Sequence, residues 1–148
     1  MICRTTLMSA VALLSVVLTL DAQTAEINDK RAKFHYQLHC QGCHTDDGRG
    51  FQSVPQMKGY IGNFLKTEEG REYLVRVPGS ANAYLNDEEL AEVLNWMIKE
   101  FSEDSIPEKW QPYTSAEISS YRKRPLLEVD EYRKGLVVQI ENLPGASK

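Results

Sequence analysis

Cys40, Cys43 and His44 are the side chains with the most chemistry to offer, and they stand together in Cys40-Gln41-Gly42-Cys43-His44. Two thiols three positions apart, followed directly by an imidazole, make the C-x-x-C-H spacing of covalent haem attachment. On one helical turn the two sulfurs reach the two vinyl groups of the macrocycle, and the adjacent imidazole meets the iron. The spacing predicts one covalent haem c on Cys40 and Cys43, with His44 as the proximal iron ligand. Other readings explain less. A disulfide leaves His44 unused. A thioredoxin-type dithiol opens a helix after a strand, and no apolar strand precedes Cys40. A zinc site completed by His35 or His39 crowds four ligands onto one turn, which cannot surround a metal tetrahedrally.

Composition bounds the frame around this motif. With 148 residues, 42% of them hydrophobic, the chain can bury one modest core. Its net charge is -4 and its 17 basic residues form no block, so nucleic acid is not an expected partner. Residues 1–22 read as a secretory signal peptide, with Arg4 in a basic start, an apolar run from Leu7 to Leu20, and a polar stretch holding Ala22 and Ala25. That run of 14 residues is shorter than the roughly 20 that cross a bilayer as a helix. Cleavage between residues 22 and 25, a periplasmic location and no permanent membrane span are therefore expected. Cys3 leaves with the signal, and the remaining chain divides into a haem domain over 23–106 and an extension over 107–148.

The elements that must position the motif are helical. Asn28 can cap a helix from Asp29 that carries Ala32, Phe34, Tyr36 and Leu38 into Cys40. A glycine-rich loop without periodicity follows His44. Thr67 caps a second helix through Tyr73, Leu74 and Val77, stopped by Pro78 and Gly79 and weakened by Gly70. Asn86 with Glu89 forms a capping box, Leu85 and Leu90 a staple, and Leu90, Val93, Leu94, Met97, Ile98 and Phe101 one apolar face. Beyond Pro107, Trp110 to Tyr113 form an irregular link. Thr114 and Glu117 then open a short helix that ends near Tyr121, before Pro125. Val129, Tyr132, Leu136 and Ile140 give a looser face interrupted by Gly135. The tail is expected to lie across the domain as one or two helices, either covering its apolar surface or docking a partner.

Over residues 28 to 102 the chain resembles the class I single-haem c-type cytochromes. Ala32 and Tyr36 stand eight and four positions before the first motif cysteine, where that family has a small and an aromatic residue. Val93 and Trp96 resemble their partners on the terminal helix. The resemblance implies an all-α fold of orthogonal helices around the haem, with Tyr36 packed on Trp96 and Trp96 among the cofactor-binding residues. Pro55-Gln56-Met57-Lys58-Gly59 looks like the loop in which a proline carbonyl accepts the hydrogen bond of the proximal imidazole, so Pro55 would orient His44. Met57 would pack on the proximal side.

The departure from the family is the sixth iron ligand. The loop from Val77 to Leu85 holds no methionine, and only Met57 and Met97 remain outside the signal. Met97 reads as core and Met57 as packing, which leaves both as weak ligand candidates. His39 is tied to the attachment turn and suits a solvated or propionate-side role; His35 reads as a surface residue. Asn82 and Tyr84 lie in the loop without being strong ligands. The expected function is electron carriage rather than enzymatic turnover, from a periplasmic dehydrogenase or other redox enzyme to a cytochrome or oxidase. Two alternatives stand: a haem subunit of a stable redox complex, suggested by the long tail, and a gas-binding module with an open sixth position.

Overall fold

The computed structural model describes residues 28–143. The expected signal peptide and its cleavage site lie outside the described residues. Helix α1 spans Asp29–His39, and the Asn28 side chain accepts from the Arg31 N–H at 3.1 Å. Ala32 and Tyr36, one turn apart, are buried. Phe34 and Leu38 are more than half exposed, because residues two apart in a helix face different directions. The Cys40 N–H donates to the Tyr36 carbonyl, and the chain turns at once into α2, the single turn Gln41–His44.

After His44 the loop folds back on the motif. The N–H groups of Met57 and Lys58 both donate to the Gly48 carbonyl, at 2.8 and 3.1 Å, and the Gly50 N–H donates to the His44 carbonyl at 3.1 Å. Gly50 is required here. Its φ is +79°, and a Cβ would sit 2.3 Å from the Val54 carbonyl oxygen.

A 3-10 turn, Ile61–Lys66, leads to α3, Glu68–Arg76, capped as expected by Thr67. Gly70, rather than weakening that helix, is its point of closest approach: a Cβ there would lie 2.2 Å from the Phe64 carbonyl oxygen. Pro78 and Gly79 do more than stop α3. Pro78 takes the first position of α4, Pro78–Ala81, where its missing N–H costs nothing.

Helix α5, Asp87–Phe101, has both bonds of the capping box, each 2.9 Å. Its expected apolar face is buried, and so are Ala91, Glu92, Asn95 and Trp96 between its residues. The helix is covered almost all round, with α1 crossing one side and the tail the other. The Tyr36 and Trp96 ring centroids are 5.4 Å apart, and Phe101 closes the cluster 5.3 Å from Tyr36. Buried Glu92 fastens the crossing, accepting from the Asn28 N–H at 2.8 Å and from Arg31 at 2.7 and 3.0 Å.

The tail runs through a 3-10 turn, Glu103–Ser105, then α6, Ser115–Tyr121, with its Thr114 and Glu117 capping box, and then α7, Val129–Glu141. Gly135 does not interrupt α7. Tyr113, Ile118, Leu126, Leu136 and Ile140 join the same core as α1, α3 and α5. The described residues contain no strand, and the fold is all-α as expected.

Candidate functional site

Helix α1 delivers Cys40, Cys43 and His44 to the wall of a cavity of about 360 Å³. The α1–α5 crossing holds α1 in place, and the Tyr36 hydroxyl donates to the Thr45 carbonyl just past the motif. Leu90, Val93, Leu94 and Met97 of α5 line the cavity from behind. Val54, Pro55 and Met57 come from the folded-back loop, Ile61 and Phe64 from the 3-10 turn, and Tyr73 and Leu74 from α3. Val77, Gly79, Ser80 and Ala83 line it from the segment around α4, and Val129, Asp130 and Arg133 from α7.

The motif residues differ in environment. Cys43 is exposed and Cys40 half-buried, and they form no disulfide. Burial, with a smaller contribution from Cys43, pushes the Cys40 thiol up to about 11. A catalytic dithiol has its nucleophile lowered instead, so the thioredoxin-type reading finds no support in this environment. Burial also lowers the pKa of His44, which favours the neutral imidazole with a lone pair to offer a metal.

The His44 Nδ1 is buried without a hydrogen-bond partner. Pro55 lines the same cavity, yet the expected bond from His44 to its carbonyl is not formed. That carbonyl lies against Gly50, its oxygen 3.0 Å from where a Cβ there would stand. A buried imidazole nitrogen without a partner is costly unless the ring serves another purpose. The apolar cavity, with the thiol pair and the imidazole on its wall, would suit a flat apolar macrocycle held by Cys40, Cys43 and His44. Trp96 is not at this cavity. It sits in the α1–α5 crossing, T-shaped to Phe101, and acts on the site through the position of α1.

Met57 and Met97 are both buried and both line the cavity. His39 lines it as well, while His35 is half-buried with its Nδ1 unpartnered. Tyr84 is 96% exposed and does not line the cavity, and Asn82 is also exposed. The segment around α4 thus presents aliphatic carbons and the Ser80 hydroxyl. Among the described residues no three His, Cys, Asp or Glu side chains gather to hold a metal by themselves.

Two tail arginines at the site carry no sequence signal. Arg122 donates to the carbonyls of Ala81, Ala83 and Leu85 at 3.3, 3.0 and 2.9 Å and to Asp87 at 2.9 Å, pinning the segment after α4. Arg133 lines the cavity from α7. Arg122 stands in the basic run Arg122-Lys123-Arg124 and Arg133 beside Lys134, and nothing in the sequence sets either apart from its basic neighbours. Glu92 and Asn95 are easier to notice, as polar positions within the apolar run of α5.

Among the described residues, an all-α shell in which α1 leads into C-x-x-C-H at the wall of an apolar cavity has the form of a small protein suited to a haem-like group. A cytochrome c-552 from Thermus thermophilus is 31% identical over 114 residues, covering 64% of this chain and 86% of the relative. A second cytochrome c-552, from a strain of the same species, is also 31% identical over 114 residues, covering 64% of this chain and 76% of that relative. The chain belongs to the c-type cytochromes. No family model matches it, and no solved structure matches it.

Proposed function

We propose that this chain carries one haem c, bound through thioethers at Cys40 and Cys43 and through His44 at the iron, and passes single electrons between exported redox proteins. The observation that carries this reading is the meeting of the thiol pair and an imidazole that burial shifts toward its neutral form on one apolar cavity. When bound, the haem supplies a one-electron iron couple whose potential the surroundings tune. The chain's own residues do the rest. Leu90, Val93, Leu94 and Ile61 keep water from the cavity, and the α1–α5 crossing fixes His44 against a rigid helix. Cys43, exposed at the surface, marks the edge nearest to a partner.

The donor is a periplasmic dehydrogenase or similar redox enzyme, and the acceptor a cytochrome or oxidase. No helix among the described residues is long and apolar enough to cross a membrane. The tail argues for a free carrier over a fixed subunit, because Tyr113, Ile118, Leu126, Leu136 and Ile140 are spent on the protein's own core. Electron transfer is tested by mixing the reduced protein with an oxidised acceptor cytochrome and following both spectra. Oxidation of one equivalent per molecule is expected, and no exchange with any acceptor counts against the reading.

A second reading has its own observation. Val77, Gly79, Ser80 and Ala83 form one wall of the cavity without thioether or imidazole. If Met57 and Met97 stay in their packing roles, the sixth position is open to a small ligand. The reduced spectrum with and without carbon monoxide separates the two: an unchanged spectrum favours a carrier with a methionine ligand, and a clear shift favours a ligand-binding module.

A further inference from the structure

Arg133 is the residue at the cavity whose placement nothing above explains. It projects from α7, deep in the tail, and lines the same space as Cys40, Cys43 and His44. Its guanidinium carbon lies 5.9 Å from the ring centroids of both Tyr60 and Phe64, and the Tyr60 hydroxyl is itself buried without a hydrogen-bond partner. The residue is half-buried. Among the described residues it forms no ion pair or side-chain hydrogen bond, in contrast to Arg71, Arg76, Arg122 and Arg124, which are all paired.

A half-buried guanidinium beside an apolar cavity is expensive without an anion, and its planar fork suits a carboxylate. The arginine is held there by its helix. Tyr132 stacks on Tyr73 at 6.2 Å and 10°, the Arg76 guanidinium lies 5.8 Å from the Tyr132 ring, and Leu136 and Ile140 are buried. The Leu126 N–H, just before α7, donates to the Arg76 carbonyl at 2.9 Å. Asp130, one turn earlier on the same wall, is exposed and forms no ion pair with Arg133.

We propose that Arg133 is a carboxylate-binding site of the cofactor cavity, with α7 closing the cavity over the carboxylate end of the haem. The ligand class is the propionate carboxylate, and the inference rests on the haem reading above. The tail is then part of the cofactor site as well as a cover for the core.

The test compares purified wild type with Arg133→Gln, Arg133→Lys and Lys134→Ala, reading covalent haem content, reduction potential and the melting temperature of the haem-loaded protein. Lys134 is a neighbouring exposed cation and controls for net charge alone. Loss of a cation next to a carboxylate leaves more negative charge near the iron and stabilises the oxidised form. Arg133→Gln is expected to keep its haem and show a lower potential and melting temperature, with Arg133→Lys between it and wild type and Lys134→Ala unchanged. A potential in Arg133→Gln equal to wild type, or lowered equally in Lys134→Ala, overturns the proposal while leaving the haem reading intact. Wild type without covalent haem overturns both. Should Arg133→Gln fail to accumulate, a fall in potential confined to Arg133→Lys supports the proposal, and its absence overturns it.

Discussion

Replacing Asn95 with alanine should loosen the tail from the helix that backs the cavity. Asn95 is 4% exposed and bonds Tyr113 in both directions: its Nδ2 donates to the Tyr113 carbonyl at 3.0 Å, and its Oδ1 accepts from the Tyr113 N–H at 2.7 Å. Tyr113 is also buried, so Asn95→Ala leaves one donor and one acceptor without partners or water. Each orphaned group costs on the order of 1–3 kcal/mol, and local relaxation brings the pair to about 3 kcal/mol. For a domain of this size that lowers the melting temperature by roughly 12 °C. Asn95→Asp separates hydrogen bonding from packing. Its carboxylate still accepts from the Tyr113 N–H but has no proton for the carbonyl, and protonation restores the donor. Its deficit relative to wild type should shrink as pH falls through the raised pKa of that buried acid. Urea unfolding at several pH values measures both. A loss below about 0.5 kcal/mol for Asn95→Ala would show that the tail is fastened elsewhere.

Gly50→Ala should destabilise by more than about 2 kcal/mol, because it combines a left-handed backbone with a clash against fixed carbonyls, whereas Gly135→Ala, in open space on α7, should stabilise by roughly 0.5–1 kcal/mol. Thermal melts of the two variants check both signs. Arg122→Ala should free the carbonyls of Ala81, Ala83 and Leu85, and hydrogen exchange should then speed up in residues 79–85 with little change in α1. Acid should loosen both the α1–α5 and the α3–α6 attachments. Burial pushes Glu92 and Glu117 up, but the hydrogen bonds from Arg31 and Arg71 and from backbone N–H groups outweigh it and hold both below their ordinary value. Their stabilising contribution is therefore complete above roughly pH 4.3 and lost as pH falls through the lower folded values. Glu117→Gln should flatten that part of the acid unfolding profile.

The parts legible in the sequence are those with local causes. Asn28, Thr67, Asn86 and Thr114 each satisfy an N–H three residues on, a signal contained in four positions. The Tyr36–Trp96 contact is readable because both helices have fixed periods and the resemblance supplies their pairing. Gly70 and Gly135 mislead in the same way. A glycine's cost in a helix is local, while its reason, a neighbouring backbone in the case of Gly70, is tertiary. The roles of Arg122 and Arg133 are not legible for a similar reason. Each acts on a segment far away in the chain, as Arg122 does on Asp87, 35 positions earlier, and no spacing rule connects them.

Everything about this site depends on Cys40 and Cys43 binding haem covalently. Intact mass of the purified protein, taken after denaturation and acid extraction that strips any loosely held cofactor, tests it directly. The expected mass exceeds the polypeptide by one haem and falls to the bare chain when both cysteines are alanine. A bare polypeptide mass in the wild type, or retention of the haem mass in the double variant, would contradict covalent attachment.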